Sequence, residues 1–240
     1  MFEKDELERY ARQILLIGRN GQKKLKEARV LVIGAGGLGS AILPYLASSG
    51  VGYIRLAEHD TVEQSNLGRQ ILYKPENVSG LKGPHAVNFL NSLNPYVNVE
   101  WSADKFSKST SEKYLSGIDF VLEGSDDIEI KFLTSDLAVK NNISAIIAGI
   151  GPKQGHILPV SKGGACYRCL FEKPPENPEE VPTCSTEGIL SPLPGIIGSM
   201  MAYLTVHALI EGQLPHRLYL FENTNWRTLA FEKNRECNYC

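Results

Sequence analysis

Val30-Leu-Val-Ile-Gly34-Ala-Gly36-Gly-Leu-Gly39 is the stretch that decides the fold of this chain. Its first four residues are all aliphatic, as in a buried strand, and the glycines that follow have the spacing G-x-G-x-x-G. When such a turn joins a strand to a helix, backbone N–H groups approach phosphates at the helix N-terminus. The stretch therefore predicts nucleotide binding at Gly34, Gly36 and Gly39, while tight packing alone is the alternative.

Strands and helices alternate around this turn. The predicted strands are Arg29–Ile33, Tyr53–Glu58, Val97–Trp101, Phe120–Glu123 and Ser144–Ala148. The predicted helices are Asp5–Leu16, Leu38–Ser49, Lys82–Leu93 and Ile128–Asn141. This alternation is typical of a parallel, doubly wound α/β sheet.

The pattern changes after Gly149. A short strand is predicted at Gly155–Val160, a long apolar helix at Pro194–Ile210, and a hairpin from His216–Glu222 to Trp226–Glu232. The proline- and acid-rich segment 172–183 is predicted to be an exposed, mobile loop, because it cannot continue a helix or a central strand. We therefore expect a Rossmann-like sheet that is parallel in its N-terminal half, with added antiparallel C-terminal strands.

The chain shows no composition break, so we predict one domain over residues 1–240. Its parts are N-terminal helices at 1–28, a nucleotide-binding half at 29–150 and a C-terminal half at 151–240. The 240 residues carry a net charge of −2, which argues against nucleic acid as a partner. No leader is recognised, and no apolar run is expected to reach the roughly 18 residues of a membrane span. These features predict a cytoplasmic protein without a membrane partner.

Two CxxC pairs predict a metal site. Cys166 and Cys169 form the first pair, and Cys237 and Cys240 form the second. Four thiolates at this spacing suit a tetrahedral zinc knot, which would be structural because no coordination position stays open. Unligated surface thiols are the alternative. The fifth cysteine, Cys184, stands at the end of the proline-rich loop, where a thiol would form a covalent link with an activated substrate or have only a structural role.

Charged residues around the glycine turn favour a nucleoside triphosphate. Glu58 ends the second strand, where a carboxylate can bind a ribose hydroxyl. Arg12, Arg69 and Lys82 are placed to neutralise phosphates, although Arg12 also fits a helix-surface charge. Asp126 follows the strand Phe120–Glu123 and is predicted to hold Mg²⁺, with a helix N-cap as the alternative.

Together these residues resemble the ThiF/MoeB/HesA family, the bacterial relatives of ubiquitin-activating enzymes. The resemblance runs in order along nearly the whole chain. It is carried by Arg9-Tyr-x-Arg12-Gln13, Gly34-x-Gly-Gly-Leu-Gly39, Ser65-Asn66-Leu-x-Arg69-Gln70, Leu93-Asn94-Pro95, Asp126, Cys166-Tyr-Arg-Cys169, Thr183-Cys184, Gly195-x-x-Gly198 and the terminal CxxC. It implies a homodimer that uses ATP and Mg²⁺ to adenylate the C-terminal glycine carboxylate of a ubiquitin-like sulfur carrier, releasing pyrophosphate.

The resemblance also implies roles for individual residues. Gly37 and Asn66 would contact the nucleotide and Glu58 the ribose, although the family usually has Asp at that position. Arg69 and Lys82 would contact the triphosphate, Asp126 would coordinate Mg²⁺, and Arg12 would act from the partner subunit. The common Thr-Asp-Asn is Ser125-Asp126-Asp127 here, and Lys131 replaces the usual Arg.

The resemblance indicates the type of reaction more closely than it indicates the biosynthetic pathway. A carrier ending in Gly-Gly, either ThiS-like or MoaD-like, would be the partner, with thiamine biosynthesis slightly favoured over molybdopterin biosynthesis. Sulfur is expected to come from a separate donor protein, and the segments 172–183 and Leu190–Met201 are predicted carrier contacts. An NAD-dependent oxidoreductase and a non-catalytic scaffold for a ubiquitin-like protein are the alternatives.

Overall fold

The apolar run before the glycine turn forms strand β1 (Arg29–Ile33) in the middle of the sheet. Four of its five residues are buried, and only Arg29 is partly exposed. Helices cover both faces of a parallel sheet, so a central strand is apolar throughout rather than alternating. In this computed structural model, residues 2–161, 163–177 and 184–240 are described, with the backbone alone at 184 and 185.

The strands and helices of the described residues follow the predicted alternation. The other strands are β2 (Tyr53–Ala57), β3 (Asn98–Ser102), β4 (Phe120–Glu123), β5 (Ser144–Ile150), β6 (Gln154–Val160), β7 (Arg217–Glu222) and β8 (Asn225–Ala230). The helices are α1 (Lys4–Arg9), α2 (Ala11–Glu27), α3 (Gly39–Ser49), α4 (Lys82–Leu93), α5 (Ser111–Leu115), α6 (Ile128–Asn141), α7 (Tyr167–Phe171), α8 (Cys184–Glu187) and α9 (Pro192–Glu211).

The strands form one mixed sheet in the order β3-β2-β1-β4-β5-β6-β7-β8. Pairing is parallel from β3 through β5 and antiparallel from β5 to β8. The predicted fold class is therefore confirmed. The order reverses at β1, because β2 lies on one side of it and β4 on the other, and ligands bind at the carboxyl ends of strands at such a switch point.

Two parts of the chain differ from the sequence-based expectation. The predicted helix Asp5–Leu16 is two helices, α1 and α2, and α2 continues to Glu27 with an interruption at Gly18, where φ is 69°. The short helices α5, α7 and α8 were not expected, since four or five residues are too few to show a helical period.

Helix α9 corrects the expectation about apolar runs. By length and composition it is the one helix of the described residues that could cross a membrane, with 20 residues and a mean hydropathy of 1.6 in its most apolar window. Half of that window is buried. The helix packs against α3, α2 and the strands β5 and β6, so it serves here as a core helix.

Two motifs that are distant in sequence connect the N-terminal helices with α3 and α4. The Arg9 guanidinium donates to the Leu93 carbonyl over 2.9 Å. The buried Asn94 amide donates to the Tyr10 hydroxyl over 2.7 Å and to the Ala47 carbonyl over 2.6 Å. These motif residues therefore fix α1 and α2 relative to α3, and they are structural rather than nucleotide-binding within this chain.

Candidate nucleotide and metal sites

The glycine turn lies between the end of β1 and the start of α3. Gly34 has a φ of +89°, a conformation that residues with a side chain rarely adopt. A side chain at Gly39 would also clash, because its Cβ would stand 2.3 Å from the Gly34 carbonyl oxygen. The chain can therefore turn this tightly into the helix only with glycine at these two positions, and the helix N-terminus is left facing the carboxyl edge of the sheet.

Neighbouring side chains fix the Ala35 peptide within that turn. The Ala35 N–H donates to Glu58 Oε2 over 2.6 Å, and the Ala35 carbonyl accepts from the Tyr73 hydroxyl over 2.9 Å. Glu58 is buried at the end of β2, and its Oε1 accepts from the Asp60 N–H over 2.9 Å. Each carboxylate oxygen has two lone pairs, so Glu58 retains the capacity to accept from a ribose hydroxyl.

Two buried polar atoms at the turn have no hydrogen-bond partner. These are Ser40 Oγ, at the start of α3, and Gln70 Oε1. The Gln70 amide also lies beside the turn, with Nε2 3.7 Å from the place where a Cβ of Gly36 would stand. Leaving a buried polar atom without a partner costs free energy, and a ligand bound at the turn would supply the missing hydrogen bonds. The turn therefore fits a bound nucleotide; sequence reasoning missed Ser40 and placed Gln70 in a motif without giving it a role of its own.

Lys82 lies at the first turn of α4 with its ammonium directed at Asp60. The distance from Nζ to Asp60 Oδ2 is 3.1 Å, and the Lys82 side chain is only 7% exposed. The Lys82 N–H also donates to the Asp60 carbonyl over 2.9 Å. Because the Asp60 N–H is held by Glu58, a chain of contacts connects the glycine turn with the buried cation.

The loop after β2 brings Arg69 to the same turn. Arg69 Cδ lies 4.0 Å from the place where a Cβ of Gly37 would stand, and Pro194 of α9 lies on that side too. The Arg69 guanidinium donates to the Ser65 carbonyl over 3.0 Å. The buried Asn66 holds the loop through its own carbonyl, which accepts from the N–H groups of Arg69 and Gln70.

The loop after β4 brings Asp126 beside the turn. Ser125 Cα would be 3.2 Å from a Cβ at Gly34. Asp127, not Asp126, is the N-cap of α6, since its carboxylate accepts from the N–H groups of Glu129 and Ile130. The N-cap alternative for Asp126 is therefore wrong. Asp126 is exposed, and its carboxylate has no hydrogen bond or ion pair to another described residue.

A buried ion pair between Lys131 and Glu123 stabilises the loop after β4. Lys131 Nζ lies 2.6 Å from Glu123 Oε2 and donates to the carbonyls of Ser125 and Ala148 over 2.7 Å. Glu123 Oε1 in turn accepts from the Ser125 N–H over 2.8 Å. The end of β4 and the residue before Asp126 are thereby fixed. The sequence pattern gave no signal for Glu123, which reads as part of an apolar strand.

Arg12 is not brought to the turn by this chain. It is exposed on α2 and forms no hydrogen bond or ion pair within the described residues. Leu15 and Leu16 on the same helix are 80% and 88% exposed. A nucleotide role for Arg12 would thus require another copy of the chain, as the resemblance implies.

The four cysteines of the CxxC pairs come together. Their sulfur atoms all lie within 4.8 Å of one another. The Sγ–Sγ distance is 3.8 Å between Cys166 and Cys169, 3.6 Å between Cys166 and Cys237, and 3.4 Å between Cys169 and Cys240. A tetrahedral zinc ion with Zn–S bonds of about 2.3 Å separates its sulfurs by about 3.8 Å. The donor set therefore fits zinc.

The environment of Cys166 disfavours a reactive thiol. Burial raises the pKa of the Cys166 thiol well above its ordinary value, and hydrogen bonds from Cys240 and Cys237 raise it further. A thiol with a raised pKa is a poor nucleophile at neutral pH, whereas a bound cation would stabilise its thiolate.

Part of the predicted carrier surface lies outside the described residues. Cys184 begins α8, but its side chain is not described, and neither are residues 178–183 of the proline-rich loop. In the segment Leu190–Met201, Leu190 and Ile196 are exposed. Leu193, Ile197 and Met201 are buried in the core. Only one side of that segment is therefore available to a partner.

Known proteins resemble this chain along its full length. The model of the ThiF family matches residues 10–239. A protein from Thermus thermophilus named sulfur carrier protein adenylyltransferase is 38% identical over 249 residues, covering 99% of this chain and 92% of that protein. The SAMP-activating enzyme E1 of Haloferax volcanii is 35% identical over 241 residues, covering 98% and 89%.

A crystal structure of Escherichia coli MccB with MccA-N7isoASN matches the fold with a TM-score of 0.86. The match covers 97% of this chain and 74% of that one. At 20% identity it bears on the fold alone.

Proposed function

The chain belongs to the ThiF family, and from this premise we propose that it is an adenylyltransferase. Its substrates are ATP and a ubiquitin-like sulfur carrier, whose C-terminal glycine carboxylate it adenylates with release of pyrophosphate. The observation that carries the proposal is the gathering of Glu58, Arg69, Lys82 and Asp126 around one glycine turn. The proposal extends to this chain what the names of its relatives say of them.

The reaction brings together two anions, the carboxylate of the carrier and the α-phosphate of ATP. A carboxylate is already ionised at pH 7 and attacks the α-phosphate without a general base. The O–P bond to the carrier forms as the bond to pyrophosphate breaks, so the protein must neutralise charge and hold the attack in line. Lys82 and Arg69 supply fixed positive charge at the phosphates, and Glu58 holds the ribose. Gly36 and Gly37 leave room for backbone N–H groups to face the phosphates.

Asp126 is the residue that would hold Mg²⁺. It has no partner among the described residues and lies beside the turn, which suits a ligand completed only when nucleotide binds. When bound, the ion would supply charge neutralisation at the phosphates. The four cysteines would hold Zn²⁺ in a structural role, as described above.

We propose a homodimer in which Arg12 serves the partner's nucleotide site. The exposed Leu15 and Leu16 support this assignment, because large apolar side chains at such exposure are typical of an interface. Arg12 would then lose its solvent-facing position and approach phosphates.

The class of carrier is assigned from the chemistry of the reaction. The biosynthetic pathway that the carrier serves is a further proposal. The relatives' names point to sulfur carriers, and among these we favour the ThiS-like carrier of thiamine biosynthesis over a MoaD-like carrier. Cys184 is a candidate for a covalent link to the activated carrier. We also propose a cytoplasmic location, which is supported by the reduced state that four metal-binding thiols require.

ATP–pyrophosphate exchange tests the proposal. The purified dimer is incubated with Mg²⁺, ATP, labelled pyrophosphate and either carrier ending in Gly-Gly. Exchange that depends on one carrier supports adenylation and assigns the pathway. ATP binding without exchange for either carrier would favour a scaffold, and absence of ATP binding would overturn the nucleotide site itself.

A further inference from the structure

Arg168 stands inside the first CxxC pair, but its contacts reach the second pair and a neighbouring helix. Its guanidinium donates to both carboxylate oxygens of Asp136 on α6, over distances of 2.9 to 3.1 Å. The centre of the same guanidinium lies 3.9 Å from the centroid of the Tyr239 ring. Tyr239 stands between Cys237 and Cys240, so one side chain connects the interior residues of both pairs.

Helix α6 holds the first pair at a second point. The Tyr167 N–H donates to Ser135 Oγ over 2.9 Å, next to the contact of Arg168 with Asp136. Successive residues of α7 are therefore fixed to successive residues of α6. The two bonds set the position of α7, and with it the direction of the Cys166 and Cys169 thiols.

The second pair has weaker support of its own. Phe231 and the two cysteines are only partly buried, and Tyr239 is 53% exposed. The Asn234 N–H donates to Cys169 Sγ over 3.4 Å, which is a weak bond to sulfur. The stacking of Arg168 on Tyr239 connects the second pair to α7 and, through Asp136, to α6.

We propose that Arg168 is a positioning residue for the four-cysteine site. With Asp136 and Tyr239 it gathers both CxxC pairs on α6, so that the thiols stand at coordination distance before a metal binds. The inference rests on the proposed zinc binding. A guanidinium suits the task because its planar fork binds a carboxylate through two parallel bonds while its face stacks on a ring, and an ammonium can do neither.

The test measures zinc affinity by competition with a chromophoric chelator, using the full, reduced chain. We expect Arg168→Met to weaken zinc binding about 10- to 100-fold, as for other residues that orient metal ligands. Arg168→Lys should lose nearly as much, since it keeps only the charge. Arg235→Met, an exposed arginine of the same C-terminal segment, is the matched control and should bind zinc like the wild type.

A second pair of variants covers the case in which Arg168→Met does not fold. Tyr239→Leu removes the ring, whereas Tyr239→Phe keeps it, and Tyr239 is exposed enough for both chains to fold. Only Tyr239→Leu should weaken zinc binding. In metal-free protein carrying Cys184→Ser, Arg168→Met should also speed the reaction of the remaining thiols with a disulfide reagent.

The possible outcomes distinguish a failure of the proposed zinc binding from a failure of the proposed role of Arg168. A wild-type chain that binds no zinc would overturn the metal site itself. A wild-type chain that binds zinc, with unchanged affinity in Arg168→Met and in Tyr239→Leu, would overturn the role of Arg168 and leave the metal site intact.

Discussion

The Tyr73 hydroxyl donates a hydrogen bond of 2.9 Å to the carbonyl of Ala35, inside the glycine turn. Tyr73 lies in the loop that also carries Arg69 and Gln70, so this bond fixes the position of that loop relative to the glycine turn. Burial raises the pKa of Tyr73 far above its ordinary value, so its hydroxyl keeps its proton at neutral pH and can donate. Together with the bond from the Ala35 N–H to Glu58, this donor fixes the orientation of the backbone at Ala35.

Tyr73→Phe should therefore weaken ATP binding while the fold is kept. Loss of a hydrogen bond of about 1 kcal/mol corresponds to a roughly fivefold increase in the dissociation constant. Isothermal titration with a non-hydrolysable ATP analogue measures the change. Tyr45→Phe, at an exposed tyrosine of α3, is the control and should bind like the wild type. Equal affinities for Tyr73→Phe and the wild type would contradict the role of this bond.

Lys82→Ala should reduce carrier-dependent pyrophosphate exchange by about 10²- to 10³-fold, the usual cost of losing one preorganised donor in a polar active site. Asp60→Asn should cost less, since it frees the ammonium 3.1 Å away without removing it. Lys108→Ala, at an exposed lysine, should leave exchange unchanged. If Lys82→Ala matched Lys108→Ala, the buried cation would have no part in the reaction.

Substitution of Asp126 should affect activity, whereas substitution of Asp127 should affect stability. Asp126→Ala is expected to abolish most exchange with little change in the free energy of unfolding, because the side chain has no partner among the described residues. Asp127→Ala should lower that free energy by about 1 kcal/mol through loss of the N-cap, and its exchange should persist. Urea denaturation and exchange assays on both variants measure the two effects, and the reverse pattern would refute the assignment of Mg²⁺ to Asp126.

Lys131→Met should destabilise the protein by about 3–5 kcal/mol, because it leaves the buried Glu123 carboxylate without its partner. The double variant Glu123→Gln with Lys131→Met should regain part of that loss, since no charge then remains unpaired. Urea denaturation of the three chains gives the comparison. A double variant no more stable than Lys131→Met would mean that the carbonyl contacts of Lys131, rather than its charge, fix the β4 loop.

His156 should make stability depend on pH in the acid range. Burial, together with the nearby charge of Lys131, lowers the pKa of His156 to about 4. The unfolded chain, with an ordinary pKa of about 6.5, then binds more protons than the folded one between these two values. The stabilisation is complete above pH 6.5, and about 2 kcal/mol of it is lost by pH 5.

Urea denaturation across this pH range checks the prediction. His156→Phe removes the titrating group and should flatten the dependence between pH 7 and pH 5, although it also loses the contact with the Tyr167 hydroxyl. His207→Phe, on α9, serves as the control and should keep the wild-type slope. Parallel curves for the wild type and His156→Phe would show that this histidine does not titrate as its burial requires.

The sequence was sufficient wherever a strong local pattern coincided with the global fold. The aliphatic run of β1 and its glycines place the turn, and the spacing of the CxxC pairs indicates that four sulfurs converge. Each of these signals lies within a few neighbouring residues, where periodicity and backbone freedom are directly visible.

The remaining features depend on contacts that sequence spacing does not encode. Glu123 reads as the end of an apolar strand, and only the fold shows that Lys131 lies against it. Asp126 and Asp127 are adjacent in sequence, and only the hydrogen bonds from the Glu129 and Ile130 N–H groups identify Asp127 as the N-cap of α6. The apolar composition of α9 does predict a buried helix, but the sequence does not show that α3 is the element that it packs against.

The distance along the chain between the two CxxC pairs has a thermodynamic consequence. Cys166 and Cys237 are 71 residues apart in sequence and 3.6 Å apart in space. A metal that joins them closes a loop containing α9 and the hairpin β7–β8. By the loop-entropy estimate for a covalent bridge of this length, that closure is worth about 4 kcal/mol. The metal would thus act as a cross-link that a chelator can release.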